Sequence, residues 1–163
     1  MRLQVATAED AVGLVSLRAA VNEHLAAQFG KGHWVSGATE KGILLTMKRG
    51  TVYVLKDGGD AIATLTLSTR KPWAIDTKYF SASKRPLYLT SMEVSPERQR
   101  KGVGRLCLDE ARRIAKGWPA DAIRLDAYDA AAGAGEFYRK CGYREVGRAT
   151  YRNAPLIYFE MLV

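Results

Sequence analysis

Cysteine and histidine are scarce in this chain, and their scarcity excludes several kinds of chemistry. Two of each occur among 163 residues, at Cys107, Cys141, His24 and His33. The cysteines form neither a disulfide framework nor a metal-binding spacing. No Cys-His or Ser-His-Asp set surrounds the histidines. We therefore expect no metal site and a reducing, cytoplasmic environment.

Long apolar runs are also missing. None approaches the roughly 20 residues that a membrane-spanning helix needs, and Glu9 and Asp10 lie where a signal peptide would require apolar residues. The composition, with 47% hydrophobic and 26% charged residues, is that of an ordinary soluble protein. We expect one domain over residues 1–163, long enough for its own core, and no membrane association.

Acidic residues are the minority among the charges. There are 25 Lys and Arg against 17 Asp and Glu, giving a formal net charge of +8. A basic chain suggests nucleic acid, but the cations are scattered apart from 98–105 and a looser set over 70–85. No zinc-finger, RNP or helix-turn-helix signature accompanies them. A basic surface equally suits an anionic cofactor, and nucleic acid remains the minority alternative.

The most informative stretch runs from residue 86 to the helix that follows residue 102. Pro86–Val94 is rich in β-branched, aromatic and aliphatic residues, which predicts a strand. Apolar residues at helical spacing begin at Val103. Between them lies a basic turn containing Gly102, and Gly104 follows in the first turn of the helix. Free N–H groups and the dipole at a helix start attract anions, so this architecture predicts a phosphate or pyrophosphate ligand.

The exact residues of this turn narrow the ligand. Neither a P-loop string nor a third glycine for a dinucleotide fingerprint is present. The segment 99–104, Gln-Arg-Lys-Gly-Val-Gly, follows Val-Ser-Pro at 94–96. It resembles the coenzyme A signature Gln/Arg-x-x-Gly-x-Gly/Ala of the GNAT superfamily of acyl-CoA-dependent N-acyltransferases. The alternative is a surface turn whose basic residues are merely solvated.

A second resemblance lies about 30 residues further on. Residues 134–143, Ala-Gly-Glu-Phe-Tyr-Arg-Lys-Cys-Gly-Tyr, are similar to the GNAT pattern Asn-x-x-Ala-x-x-Phe-Tyr-x-Lys-x-Gly-Phe/Tyr. In that family the segment forms the wall beside the sulfur of the coenzyme. The chain departs from the pattern at Ala131, where the family has Asn, so the hydrogen bond of that amide to the pantetheine arm is not expected.

The periodicity of the remaining chain predicts the order β-α-α-β-β-β-α-β-α-β-β. The predicted strands are 3–5, 51–55, 61–67, 86–94, 122–127, 143–151 and 156–163, and the predicted helices occupy 12–29, 39–50, 103–116 and 133–142. The resemblance implies an α/β (α+β) fold of the GNAT type. Its mixed, mostly antiparallel central sheet has a splayed parallel pair formed by the fourth and fifth strands, with helices on both faces.

The resemblance further implies acetyl-CoA as cosubstrate and direct attack of a primary amine on its thioester carbonyl. A backbone N–H near Glu93 or Val94 would polarise that carbonyl. The cofactor-binding residues implied are Met92, Glu93, Val94, Gln99, Arg100, Lys101, Gly102, Val103, Gly104, Arg105 and Phe137.

Two residues are predicted to be catalytic. Tyr138 occupies the family position of the proton donor to the leaving thiolate; its alternative is a buried aromatic beside Phe137. Glu93 is the candidate base for the substrate ammonium. Asp126 is a second candidate, because it also lies near a central strand end. The alternative for either residue is a solvated strand carboxylate, which is favoured for Asp126, and water is a third route for the proton.

The acceptor amine is left open between a small molecule and a peptide. The segment 69–85 has no clear periodicity and is long enough to be a lid or a binding loop; its alternative is a surface loop pinned by its aromatics. The residues predicted to line the amine site are Phe29, His33, Trp34, Trp73, Tyr79 and Phe80.

The prediction from the sequence is therefore an acetyl-CoA-dependent N-acetyltransferase. Its rivals are an acyl-CoA-binding sensor without turnover and, less favoured, a basic nucleic-acid-binding domain. Whether the chain forms a homodimer is left open.

Overall fold

The computed structural model describes residues 1–32 and 37–163. Its element order agrees with the order predicted from the sequence. The strands are β1 (Gln4–Val5), β2 (Thr51–Asp57), β3 (Asp60–Ser68), β4 (Pro86–Val94), β5 (Ala122–Tyr128), β6 (Arg144–Tyr151) and β7 (Ala154–Leu162), and the helices are α1 (Ala11–Phe29), α2 (Glu40–Arg49), α3 (Val103–Gly117) and α4 (Gly135–Lys140).

The seven strands form a mixed sheet, which confirms the predicted fold class. β4 and β5 pair in parallel, and the other pairings are antiparallel. By its contacts the chain divides into two compact units. The first comprises Met1–Leu67 and Ser91–Glu110, and the second comprises Ser68–Thr90 and Ala111–Val163. A single domain over the whole chain stays a prediction.

Local capping sets the helices of the first unit. The Asp10 carboxylate accepts a hydrogen bond from the Thr7 backbone N–H at 2.8 Å, as in a capping box ahead of α1. The Thr39 hydroxyl accepts one from the Gly42 N–H at 3.1 Å at the start of α2. Gly30 and Gly50 follow the last residues of the two helices.

The core of the first unit lies between these helices and β2. β1, β2 and β3 are consecutive antiparallel strands. Gly58 and Gly59 both have positive φ in the tight turn between β2 and β3, which favours glycine at both positions. Apolar residues from α1 and α2 pack against the buried Val52 and Val54 of β2. This packing places the polar residues of the same elements around a small cavity, described below.

β5 is an inner strand of the second unit, where the order is β4-β5-β7-β6. It pairs with β7 along all of Ala122–Tyr128. Its parallel pairing with β4 covers only Pro86 to Tyr88, opposite Ala122 to Arg124. Both strands continue beyond this point without further pairing between their described residues. The ladder is therefore open at this end, in agreement with the splay that the resemblance implied.

The 69–85 segment is held by contacts of its own. The Tyr158 hydroxyl donates a hydrogen bond to the Ala74 carbonyl oxygen and accepts one from the Asp76 N–H at 3.3 Å. Ile75 and Phe80 are buried in a cluster with Tyr158. These contacts favour the alternative of a loop pinned by its aromatics over that of a mobile lid.

Three further properties concern the described ranges only. No helix in 1–32 or 37–163 combines the length and apolar character needed to cross a membrane. The same residues contain no group of three or more His, Cys, Asp or Glu arranged to hold a metal ion. Neither Cys107 nor Cys141 takes part in a disulfide bond, and Cys107 is buried.

Candidate functional site

A short, tied turn connects β4 to α3. Residues 96–98 form a single turn of 3-10 helix, in which the Arg98 N–H donates to the Ser95 carbonyl oxygen at 2.8 Å. The Gln99 side-chain amide donates back to the carbonyl oxygen of Val94 at 3.1 Å. Gln99 therefore fixes the turn to the end of the strand.

The backbone of the turn is shaped to receive a ligand. Arg100 and Gly102 have φ values of +58° and +83°, and this left-handed region is uncommon for a residue such as arginine. A Cβ added at Gly102 would meet no heavy atom within 4 Å among the described residues. The helix begins with a bond from the Leu106 N–H to the Gly102 carbonyl oxygen at 3.0 Å, so earlier N–H groups lack an intrahelical acceptor. Open space beside such donors fits the pyrophosphate of coenzyme A.

The basic side chains of the turn are not equivalent. Arg98 pairs with Asp57 at 2.6 Å, so its charge is already balanced at the end of β2. Arg100, Lys101 and Arg105 are exposed. The sequence grouped all four cations, and only the structure separates the structural pair from the cations that face solvent.

Glu93 is a half-buried carboxylate near the end of β4. Its Oε1 accepts a hydrogen bond from Arg18 Nε at 2.7 Å, and the Arg18 and Glu93 side chains are 26% and 14% exposed. Its Oε2 is buried and has no hydrogen-bond partner among the described residues. Burial raises the pKa of Glu93 above its ordinary value, although the Arg18 cation acts in the opposite direction. Such a carboxylate is suited to accept a proton or to bind a cation.

A cavity of about 10 Å³ lies beside this pair, large enough for one water-sized group. Its lining residues are Leu14, Arg18, Ile43, Thr46, Val52, Thr64, Thr66, Ser91 and Glu93. The lining is mixed, with apolar side chains beside four hydroxyl-bearing residues, of which Thr46 and Thr64 donate to backbone carbonyl oxygens. Thr64 and Thr66 lie on one face of β3 because they are two residues apart, a spacing that was visible in the sequence.

Ser91 interrupts the regular geometry of β4. Its φ of +50° is left-handed, which is unusual for a residue with a side chain inside a strand. The preceding residues of β4 belong to the second unit, and Ser91 itself begins the return to the first. Backbone outliers of this kind concentrate at functional sites. Nothing in the sequence pattern signals it.

Tyr138 lies on α4 in the second unit, buried in an aromatic cluster. Its ring centroid is 5.4 Å from that of Phe137 and 5.8 Å from those of Tyr143 and Phe159. Burial raises its pKa above the ordinary value, and the Asp126 carboxylate acts in the same direction. The hydroxyl therefore stays protonated, as a donor must, but it is a weaker acid than free tyrosine. Its catalytic role stays a prediction.

The residues predicted to line the amine site have different environments. Phe29 is exposed at the end of α1, and Trp73 is 88% exposed. Tyr79 packs on the Tyr158 ring with centroids 5.4 Å apart, and Phe80 is buried beside it. These two aromatics have packing roles of their own. His33 and Trp34 lie outside the described residues, and substrate binding by the others stays a prediction.

The structure therefore groups the predicted residues in two sets. Residues Met92 to Val94 and the 99–105 turn belong to the first unit, and Phe137, Tyr138 and the 69–85 segment belong to the second. Arg18 and the threonines of the cavity are the polar residues that sequence reasoning missed.

Comparison with known families gives a match over most of the chain. The sequence model of the "Acetyltransferase (GNAT) family" matches residues 18–143. Among curated proteins, none matches the chain.

Solved structures with the same fold act on different substrates. A ribosomal-protein-alanine N-acetyltransferase from Brucella melitensis is similar with a TM-score of 0.71 at 17% identity, covering 100% of both chains. An aminoglycoside 6'-acetyltransferase type Ii has a TM-score of 0.71 at 14% identity, covering 99% of this chain and 97% of that one. The ribosomal-protein-S18-alanine N-acetyltransferase from Escherichia coli has a TM-score of 0.71 at 14% identity, with coverages of 99% and 92%. At these identities the likeness shows the fold alone.

Proposed function

Because the chain belongs to the GNAT acetyltransferase family, we propose that it is an acetyl-CoA-dependent N-acetyltransferase acting on a primary amine of a small molecule or peptide. The observation that carries this proposal is the 99–105 turn. Left-handed Arg100 and Gly102 lead into α3 with open space at the glycine. A merely solvated turn would not require the unfavourable conformation of Arg100.

Acetyl-CoA supplies the activated acetyl group, and the turn is proposed to hold its pyrophosphate. Backbone N–H groups at the start of α3 donate hydrogen bonds to the phosphate oxygens. Arg100, Lys101 and Arg105 add full positive charge without bulk inside the turn. Met92, Val94 and Phe137 are proposed to contact the rest of the cosubstrate, as the resemblance implies.

The reaction forms an amide C–N bond, breaks the thioester C–S bond and releases one proton per ammonium consumed. We assign the first proton transfer to Glu93, whose Oε2 is free to accept it. Tyr138 donates a proton to the departing sulfur and regains one from the acetylated nitrogen. A backbone N–H near Glu93 or Val94 stabilises the charge that develops on the carbonyl oxygen.

The direct test is release of free coenzyme A thiol from acetyl-CoA across a panel of primary amines. Turnover with at least one amine supports an enzyme. Tight acetyl-CoA binding with no turnover on any amine would favour the sensor instead. Binding of DNA or RNA with a steep salt dependence and no affinity for acetyl-CoA would favour the nucleic-acid alternative.

The cosubstrate site is tested by Gly104→Asp, which adds bulk and negative charge at the start of α3. We expect acetyl-CoA affinity, measured by calorimetry, to fall by roughly tenfold or more. Gly117→Asp is the matched control, because it adds the same side chain at the other end of α3, where a Cβ meets no heavy atom of the described residues within 4 Å. A folded Gly104→Asp protein with undiminished affinity would place the site elsewhere.

A further inference from the structure

The Arg18–Glu93 pair is incomplete on both sides. Only Nε of the guanidinium is used, at 2.7 Å from Oε1. The two terminal amino groups of Arg18 make no hydrogen bond or ion pair to any residue in 1–32 or 37–163, although a guanidinium carries five N–H donors. The Oε2 atom of Glu93 is likewise unused and buried. The pair therefore presents one free cationic edge and one free anionic atom.

The size of the neighbouring cavity restricts which groups can bind beside the Glu93 side chain. The cavity beside Glu93 has about 10 Å³, and Thr46, Thr64, Thr66 and Ser91 are among its lining residues; the Thr46 and Thr64 hydroxyls donate to backbone carbonyl oxygens. Such a space holds one water-sized group. An unsubstituted ammonium head is of that size and donates three hydrogen bonds, whereas a guanidinium or an N-alkylated amine is larger. The cavity thus has room for an unsubstituted ammonium head and for no larger cation.

Charge balance then restricts which other charges the bound ligand can carry. A simple cation at Glu93 would compete with Arg18 for the carboxylate and leave the half-buried guanidinium without its anion, which is costly. A simple anion at Arg18 would meet the Glu93 charge a few ångströms away. A molecule with both charges satisfies both partners, because its ammonium binds Glu93 while its carboxylate accepts from the free edge of Arg18.

We propose that the amine acetylated by this protein carries a carboxylate close to its primary ammonium, as amino acids do, with Arg18 as the residue that selects the carboxylate. The inference rests on the proposed N-acetyltransferase function and on Glu93 as the ammonium partner. It disfavours polycationic amines, which would bring further positive charge to Arg18.

Recognition and proton transfer are coupled in this arrangement. Arg18 lowers the pKa of Glu93, against the larger effect of burial. When a substrate carboxylate engages Arg18, that lowering weakens and Glu93 becomes the stronger base. A bound carboxylate therefore prepares the group that removes the ammonium proton.

The test compares each amino acid with its own primary amide, which keeps the ammonium and removes the carboxylate charge. The probes are the common α-amino acids, β-alanine and γ-aminobutyrate with their amides, and kcat/KM is measured by thiol release. We expect the best amino acid to exceed its amide by roughly 10- to 100-fold, the range for hydrogen bonds to a charged group. In Arg18→Met the ratio falls toward one. In Arg18→Lys part of it is kept.

Arg2→Met is the matched control, because Arg2 is an exposed arginine of the same unit and its loss leaves the ratio unchanged. Melting curves establish that each variant is folded. An amide that equals or exceeds its amino acid on the unmodified protein overturns the inference and leaves the acetyltransferase function standing. So does an Arg18→Met protein that retains the preference.

If the protein turns over none of the probes, binding of the same amino acids is measured by calorimetry in the presence of coenzyme A. Binding that depends on Arg18 then supports the carboxylate subsite while it counts against the enzymatic function. Absence of both turnover and amino-acid binding overturns the subsite.

Discussion

Each of the two units contains an arginine–glutamate pair that is at least partly buried. Neighbouring groups complete the hydrogen bonds of one pair but not those of the other. In the second unit Glu160 and Arg124 are 1% and 6% exposed, with Glu160 Oε2 3.4 Å from Arg124 Nε. The other carboxylate oxygen accepts from the Ser81 N–H at 3.3 Å. Arg124 also donates to the Ser81 carbonyl oxygen at 2.7 Å and to the Tyr88 hydroxyl at 3.3 Å.

The difference between the pairs lies in how far neighbouring groups complete them. Burial of two charges carries a desolvation cost, which is offset only when the remaining donors and acceptors are also satisfied. The Glu160–Arg124 pair meets that condition and holds Ser81, in the 69–85 segment, to the sheet of its unit. The Glu93–Arg18 pair is more exposed, and it leaves Oε2 without a hydrogen-bond partner among the described residues. Its unmet hydrogen bonds are available to a ligand.

The largest difference that we expect between the two pairs is in their contribution to stability. Arg124→Met leaves the buried Glu160 with the exposed Arg144, 3.5 Å away, as its remaining counter-charge, and we expect the free energy of unfolding to fall by about 3 kcal/mol. Arg18→Met removes a partner from a more exposed carboxylate that can take up a proton, so we expect a loss of at most about 1 kcal/mol. Urea unfolding of both variants measures the difference. Equal losses would show that the two pairs serve the same structural purpose.

The next expected effect is on catalysis, and we expect it for the Arg18–Glu93 pair but not for the Arg124–Glu160 pair. Glu93→Gln keeps the size of the side chain but removes the base, so we expect kcat/KM for the best amine to fall by roughly 100-fold. The free energy of unfolding should fall by at most about 1 kcal/mol, because the amide oxygen of glutamine can still accept from Arg18 while the ion pair is lost. Arg144→Gln, which alters the rim of the closed pair, serves as the control for an unspecific charge effect. A fully active Glu93→Gln protein would transfer the role to water.

The same residue predicts the acid side of the pH profile. Burial raises the pKa of Glu93 above its ordinary value of about 4.3. A base must be deprotonated to act, so kcat/KM is lost as the pH falls through that raised value. The acid limb should accordingly lie closer to neutral pH than an ordinary carboxyl would place it, and Glu93→Gln should lack this limb.

Local sequence patterns were sufficient to predict most of the fold, but they could not predict that Arg18 and Glu93 form a pair. The Thr39 cap, the turn at Gly58 and the strand–turn–helix around Gly102 each depend on neighbours in the chain. Arg18 and Glu93 are 75 positions apart, and no periodicity reports which side chains of distant elements meet. Glu93 was therefore predicted as a candidate base, while its partner and the cavity were not.

The role of Tyr138 likewise depends on its surroundings. Its residue type suited both a proton donor and a buried aromatic, and the sequence pattern did not distinguish the two. The buried aromatic cluster around it agrees with a packing role. The raised pKa makes proton transfer to the departing sulfur less favourable, so we expect its contribution to the rate to stay close to that of a hydrogen bond. A neutral hydrogen bond is worth about 0.5–1.5 kcal/mol, so Tyr138→Phe should lower kcat by roughly tenfold at most.

Steady-state thiol release with the best amine measures this change, and the KM for acetyl-CoA should stay nearly constant because the hydroxyl acts mainly in the transition state. Tyr143→Phe is the matched control, since it removes a hydroxyl from a buried ring whose centroid is 5.8 Å from that of Tyr138. A loss confined to Tyr138→Phe assigns it to the chemistry. Equal losses in both variants would instead trace the effect to packing of the cluster. Full kcat in Tyr138→Phe under rate-limiting chemistry would leave Tyr138 a core aromatic of the second unit.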